Sequence, residues 1–235
     1  MNIPAQHMEI EEIYHQTLAR GIRSLAITAA NPEEGVSTLA IALAQRSLLA
    51  GKSTLLVDLN LYRPTLKSLA MVENSLTSKA CHQPQLVGSS GRSLALTGVV
   101  APARREDILQ LRRPEELSRQ IQQWQRDFDT LIFDTSPFSR INANNIPAEQ
   151  VATACDGCLL VILAGQTTES MAQAAVEKLR SSDANLLGCV LNDRFNPPLQ
   201  QELLREVNRL PRFARRLAQA LRQWIRQNPL LSLEV

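Results

Sequence analysis

The stretch from Ser24 to Asn60 constrains the fold more than any other part of this chain. SLAITAA (Ser24–Ala30) is an apolar run of strand length, and NPEEG (Asn31–Gly35) is a loop. VSTLAIALAQRSLLA (Val36–Ala50) reads as a mostly buried helix, and STLLVDLN (Ser53–Asn60) as a second buried strand ending in polar residues. Gly51 stops the helix, as glycine does just past a helix C-terminus. Strand, loop, helix and strand within about forty residues make a βαβ unit, which commits its strands to a parallel sheet.

The alternation continues downstream. SLALTGVV (Ser93–Val100), DTLIFDTSP (Asp129–Pro137), CDGCLLVILAG (Cys155–Gly165) and NLLGCVLND (Asn185–Asp193) are further strands. Residues 106–126 are helical in pattern and interrupted at Pro114, which with Glu115 and Glu116 suits the first turn of a new helix. Residues 167–182 form another helix, and residues 8–20 carry Ile10, Ile13, Tyr14 and Leu18 at helical spacing. The polar run over 74–92 reads as a loop or excursion. The expectation is a doubly wound α/β domain over residues 23–200, with a mainly parallel sheet and helices on both faces. An N-terminal helical segment (1–22) precedes it and a basic amphipathic helix (201–235) follows.

Composition narrows the function classes. Among 235 residues, 44 % are apolar and 20 % charged, enough for one α/β core. The net charge of +2 argues neither for nor against nucleic acid. No stretch approaches the ~20 apolar residues of a membrane-spanning helix, and the N-terminus lacks the charged-then-apolar order of a secretory signal. The expected compartment is the cytoplasm, where Cys81, Cys155, Cys158 and Cys189 stay reduced. Cys155 and Cys158 have C-x-x-C spacing without the second pair a zinc site needs; Cys158 and Cys189 sit inside apolar runs, and the cysteines read as packing residues.

The loop after the first strand sits where a phosphate loop, G-x-x-x-x-G-K-S/T, would sit. In that pattern the glycines let backbone amides wrap phosphates, the lysine reaches the outer phosphates and the hydroxyl holds magnesium. Here the eight residues are Ala30-Asn31-Pro32-Glu33-Glu34-Gly35-Val36-Ser37. The second glycine and the hydroxyl are kept; Ala30 replaces the first glycine and Val36 the lysine. A charge pair at about 4 Å is worth roughly 4 kcal/mol at an effective dielectric of 20, so triphosphate affinity falls by about two to three decades. Glu33 and Glu34 add negative charge nearby. The loop is therefore either a plain strand-to-helix connection or a residual nucleotide site on a helix N-terminus.

Taken together, these segments resemble the bacterial tyrosine kinases of capsule and exopolysaccharide export, a branch of the MinD/ParA superfamily of P-loop proteins. Pro32, Glu34, Gly35, Ser37 and Thr38 match the family's "T-S-x-x-P-G-E-G-K-S-T". Leu55, Leu56, Asp58, Arg63, Pro64 and Leu66 match "L-L-I-D-x-D-x-R-R-P-x-L". FDTLIFDTSP is similar to the strand "Y-D-x-V-I-I-D-T-P-P", and Cys155–Asp193 to a strand–helix–strand containing "G-x-T" and "L-N". The resemblance spans roughly residues 9–193. It implies a P-loop NTPase-like fold of MinD/ParA type and a nucleotide site at Gly35, Ser37, Thr38 and Asn192. Asn192 would contact adenine, Ser37 and Asp134 would hold Mg2+, and Asp58 would position the metal or activate an acceptor. The cofactors implied are ATP and Mg2+, if any bind.

The departures all point away from ordinary catalysis. Val36 stands at the P-loop lysine and Asn31 at the second, signature lysine; Asn60 replaces the second acid of D-x-D and Tyr62 an arginine. Tyr14 and Tyr62 are the only tyrosines in this sequence, and none lies in the C-terminal stretch where the family clusters its acceptors, so autophosphorylation is not expected. Glu12 is followed by His15 and Leu18, so the family's oligomerising E-x-x-R-x-x-R helix is not kept. The expected function is a regulatory or scaffolding pseudo-ATPase beside an exopolysaccharide or cellulose synthesis and secretion complex. Its expected partners are a membrane-associated component of that complex, an active homologue, or a second copy. The alternatives are an enzyme in which Lys52, Arg63 or a residue from a partner replaces the lysine, and a ParA-type positioning protein on membrane or DNA.

Seven arginines and one acid lie between Arg205 and Arg226. On a helix over 212–227, Phe213, Leu217, Leu221, Trp224 and Ile225 share one face, flanked by Arg212 and Arg216. Such a helix either packs its apolar face on its own domain or lies at the membrane interface, which would place the protein peripherally at the inner membrane. The arginines permit contact with nucleic acid without specifying it.

Overall fold

The computed structural model describes residues 3–66, 84–87, 96–140, 145–194, 203, 207 and 221–225. The chain forms two compact units, Met1–Asn192 and Asp193–Val235.

In the first unit the strands are β1 (Ser24–Ala29), β2 (Thr54–Leu59), β3 (Gln85–Val87), β4 (Leu96–Val99), β5 (Thr130–Thr135), β6 (Gly157–Leu163) and β7 (Leu186–Asn192). They make one sheet in the order β3-β4-β2-β5-β1-β6-β7. All neighbours run parallel except β3, which pairs antiparallel with β4 at one edge. β3 lies within the run that the polarity of residues 74–92 marks as a loop. Three residues on an edge need only backbone pairing, so no apolar pattern announces them. β1, β2 and β5 are buried along their whole length, which is why they read as continuous apolar runs.

The helices are α1 (Met8–Gln16), α2 (Val36–Leu49), α3 (Arg105–Leu111), α4 (Pro114–Trp124), α5 (Ala148–Ala154) and α6 (Glu169–Ser181). One face of the sheet is covered by α1 and α2, through Ile10, Tyr14, Leu39 and Leu43 against Leu25, Ile27, Leu56 and Ile132. The other packs Leu117, Ile121, Val151, Ala175 and Leu179 against Val57, Leu131, Phe133 and Leu160. This is the doubly wound arrangement expected. Pro114 opens α4, with Glu115 and Glu116 in its first turn. The short helix α5 has no counterpart in the sequence expectations, because seven residues are too few to show a period.

α1 is fastened to α2 electrostatically as well as by packing. The Arg46 guanidinium pairs with the Glu11 carboxylate and lies 4.6 Å from the centre of the Tyr14 ring. Tyr14 is buried, at 5 % exposed. Cys155 and Cys158 are buried as expected, but Cys189, expected to pack as well, is exposed on β7. β7 is the sheet's other edge, and its residues alternate between half-buried and exposed. An apolar run there did not guarantee burial.

In the second unit, Val207 and Ile225 are buried together, with Leu203 and Leu221 packed against them. Among the described residues, no helix is long and apolar enough to cross a membrane.

Candidate phosphate and metal site

Parallel strands place their C-terminal ends along one rim of the sheet, and an α/β fold puts its cleft there. Three segments meet on that rim: the β1–α2 loop, the residues after β2, and the end of β5.

The β1–α2 loop has a built conformation. Gly35 sits at the N-cap of α2 with φ +107°, and Glu33 is also left-handed at φ +66°. A Cβ on Gly35 would stand 2.5 Å from Asn192 Nδ2, and that amide donates to the Glu34 carbonyl at 2.8 Å. Glycine is needed there for both its φ and its bareness. With glycine at the N-cap, no side chain caps the helix, which leaves the first-turn amides toward the loop as an anion cradle.

The two loop acids do not act as their proximity suggested. Glu34 is buried, and its Oε1 accepts from Asn31 Nδ2 at 3.1 Å and from Thr167 Oγ1 at 2.5 Å. Thr167 Oγ1 in turn accepts from the Leu163 backbone N–H at 3.0 Å, tying the loop to the end of β6. Glu33 is exposed and pairs with Arg63. Arg63 offsets the Glu33 charge, whereas Glu34 is held by neutral donors and its Oε2 is buried without a hydrogen-bond partner. Val36 has left the pocket as well. It is 8 % exposed and belongs to the apolar cluster beneath α2 with Ile27 and Leu39.

Asp58 and Asp134 are direct neighbours across the β2–β5 pairing, both buried. Their partners differ. Asp58 Oδ1 accepts from the Asn60 N–H at 3.0 Å and Oδ2 from the Leu66 N–H at 2.9 Å, with a further backbone bond from Thr65. Asp58 therefore caps the loop after β2. Asp134 accepts from the Ser37 hydroxyl and the Asn60 side chain, while its Oδ1 is buried without a hydrogen-bond partner. Burial pushes the Asp58 carboxyl up to about 6. Burial, then the neighbouring Asp58 charge, pushes Asp134 up to about 8. Two carboxylates so close and so dry resist ionising together.

That pair, with an unsatisfied carboxylate oxygen beside a hydroxyl, fits a divalent cation with oxygen ligands that keeps several waters. Asp134 and Ser37 would hold it, with Asp58 shaping the wall. Among the described residues no group of three or more His, Cys, Asp or Glu forms a fuller metal site.

The structure thus brings Gly35, Ser37, Asp58, Asp134 and Asn192 to one rim, with Thr38 in the first turn of α2. It also separates the two candidates within this chain for the missing lysine. Lys52 lies at the opposite end of β2, where its charge acts on Asp129; six strand residues, roughly 20 Å, intervene. Arg63 is on the correct rim. The role of Thr167 and the pairing of Glu33 with Arg63 are not legible in the sequence, although Thr167 occupies the threonine of the G-x-T match. Of the C-terminal surface, Arg212, Phe213, Arg216 and Leu217 lie outside the described residues. Leu221 and Trp224 are helical, but Trp224 is 58 % exposed while Ile225 is 2 % exposed, so the expected common face is divided.

Comparison with known proteins supplies relatives and fold neighbours. No family model matches the chain. It is 30 % identical over 182 residues to the tyrosine-protein kinase YwqD of Bacillus subtilis, covering 74 % of each chain. It is 28 % identical over 177 residues to the tyrosine-protein kinase CpsD of Streptococcus agalactiae, covering 72 % of this chain and 74 % of that one. Among solved structures, the kinase domain of the Escherichia coli tyrosine kinase ETK superposes with a TM-score of 0.62 at 21 % identity, over 78 % of this chain and 72 % of that one. The ATP complex of a variant of McdA from Cyanothece gives a TM-score of 0.57 at 14 % identity, over 73 % of this chain and 70 % of that one.

Proposed function

Because this chain belongs to the bacterial tyrosine-kinase branch of the MinD/ParA-like P-loop family, we propose that it is a regulatory pseudo-ATPase of that branch. It keeps the family's magnesium–phosphate pocket without turning nucleotide over. One observation carries this reading: the side chain at the P-loop lysine position, Val36, is packed into the core beneath α2. A lysine there would stabilise charge on the transferred phosphoryl group, and electrostatic stabilisation of that kind is most of what catalysis of phosphoryl transfer requires. Valine offers none.

The rest of the pocket supports binding more than chemistry. The first-turn amides of α2, with Ser37 and Thr38, would cradle the phosphates, and Asp134 and Ser37 would hold magnesium. When bound, the cation neutralises phosphate charge. Asn192 is committed to the Glu34 carbonyl, so it braces the loop against the end of β7. An acceptor tyrosine is also poorly provided: Tyr14 is buried, and Tyr62 is the exposed one, at 45 %. We place the protein beside an exopolysaccharide or cellulose synthesis and secretion machine, acting on a membrane-associated partner, an active homologue or a second copy. Resemblance to kinases of polysaccharide export supports that setting.

The test is nucleotide turnover with ATP and Mg2+, alone and with an active homologue present. Phosphate release at or below that of Asp134→Ala fits a pseudo-ATPase. Release well above that variant would overturn the proposal in favour of an enzyme with a substituted lysine. A peripheral membrane role is the second reading, supported by the exposed Trp224 next to the arginine-rich segment. It predicts co-sedimentation with anionic liposomes that Trp224→Ala with Arg212→Glu and Arg216→Glu abolishes. A protein that never sediments with them rules it out.

A further inference from the structure

We propose that Arg63 carries the positive charge that the phosphate loop lacks, and that Glu33 holds it aside until a phosphate chain arrives. The inference rests on the reading of this rim as a residual magnesium–phosphate pocket.

Arg63 is delivered to the rim by a relay of hydrogen bonds. Asp58 fixes the Asn60 and Leu66 backbone amides, and the Asn60 side chain contacts Asp134 and accepts from the Arg63 N–H at 3.2 Å. The backbone of Arg63 is thus tied to the acid pair that would face the metal. Its guanidinium crosses to the neighbouring loop and pairs with Glu33 Oε1. Glu33 reaches it from a left-handed backbone at φ +66° within the phosphate loop. The pair therefore joins the residues after β2 to the loop after β1, next to the bare Gly35 and the first turn of α2.

Its exposure makes the pair exchangeable. The Arg63 and Glu33 side chains are 72 % and 64 % exposed, and ion pairs so well solvated contribute little and re-form easily. A guanidinium favours the paired oxygens of a phosphate, which it can grip bidentately. Phosphates seated on the α2 amides would draw Arg63 off Glu33 without moving the backbone that Asp58 and Asn60 hold. The ligand class is the magnesium-bound phosphate chain of a nucleoside di- or triphosphate, or free pyrophosphate, which shares its chemistry. Glu33 then acts as an internal competitor, lowering affinity for weak polyanions.

The experiment is calorimetric titration of the full chain with Mg-ADP, Mg-pyrophosphate and adenosine, using wild type, Arg63→Gln, Glu33→Gln and the double variant. Both positions are exposed, and unchanged thermal unfolding checks that the variants fold. Arg63→Gln weakens Mg-ADP binding by about tenfold or more, the loss of one charge-assisted contact. Glu33→Gln tightens it by about two- to fivefold, the release of an exposed pair. The double variant matches Arg63→Gln, because without the arginine there is nothing for Glu33 to hold. Equal dependence on Arg63 for pyrophosphate supports the phosphate chain as the ligand; loss confined to Mg-ADP supports a nucleotide. Wild-type affinity in Arg63→Gln overturns the proposal, as does Glu33→Gln tightening that survives in the double variant. So does adenosine binding that depends on Arg63. If no variant binds any phosphate ligand the proposal fails, while the non-hydrolysing reading, tested by turnover, still stands.

Discussion

Restoring the lysine by Val36→Lys should produce two effects of opposite sign in one variant. Val36 is 8 % exposed and sits in the apolar cluster with Ile27, Leu39 and Leu43. Burying a valine side chain contributes about 1.5–3 kcal/mol. A lysine recovers part of that by laying its methylenes along the same surface while its ammonium turns out to water. The unliganded variant should therefore lose about 1–2 kcal/mol, which lowers the Tm by roughly 2–8 °C for a domain of this size. Once the ammonium turns toward the rim it stands near the α2 first turn, where one charge contact is worth up to about 4 kcal/mol. Mg-ADP affinity should then rise by about one to three decades, and saturating ligand should restore the lost stability. Thermal unfolding with and without Mg-ADP reads both effects on one sample, and calorimetry gives the affinity. A variant that is no less stable than wild type and gains no affinity would refute the reasoning. It would mean that Val36 neither fills the core nor stands where a lysine could serve the loop.

Other predictions address the rest of the rim. Without divalent cation, the folded protein holds on Asp134 a proton that an unfolded aspartate releases near 3.8 and that the folded site releases only near 8. Between those values the folded state binds more protons, so stability falls as pH rises, by up to about 1.4 kcal/mol per pH unit. Asp134→Asn should flatten that slope in urea unfolding with EDTA, and an unchanged slope would discount the acid pair. Magnesium should recover stability near pH 8 in wild type and not in Asp134→Asn. Gly35→Ala should cost about 1–3 kcal/mol through its positive φ and its collision with Asn192, measured by chemical denaturation; a neutral result would deny the close packing there. Lys52→Ala should leave Mg-ADP affinity unchanged, since Lys52 lies at the far end of β2, and a clear loss would contradict that placement.

Most of the architecture was written locally. The buried strands β1, β2, β5 and β6 are continuous apolar runs, and Gly51 and Pro114 mark a helix end and a helix start. These follow from short-range sterics and periodicity, and with the βαβ order they leave few topologies open. The identity of the site residues was legible too, because Gly35, Ser37, Asp58 and Asp134 lie at strand or helix ends where α/β folds place their clefts. The loss of the lysine could be read directly at Val36.

Partnership could not be read in the same way. Nothing local distinguishes Glu33 from Glu34, yet one is solvated against Arg63 and the other is buried on Asn31 and Thr167, a residue 133 positions away. Lys52 and Arg63 are close in sequence, and the strand between them sends them to opposite ends of the sheet. Asp58 and Asp134 look alike as strand-end acids, but backbone amides satisfy the first and leave an oxygen of the second bare. β7 is as apolar as the central strands and is half exposed because it forms an edge. Local sequence sets which elements form and which chemistry is missing from the loop. Which charges meet is set by the fold, because a hydrogen bond or ion pair depends on distances that the folded sheet imposes.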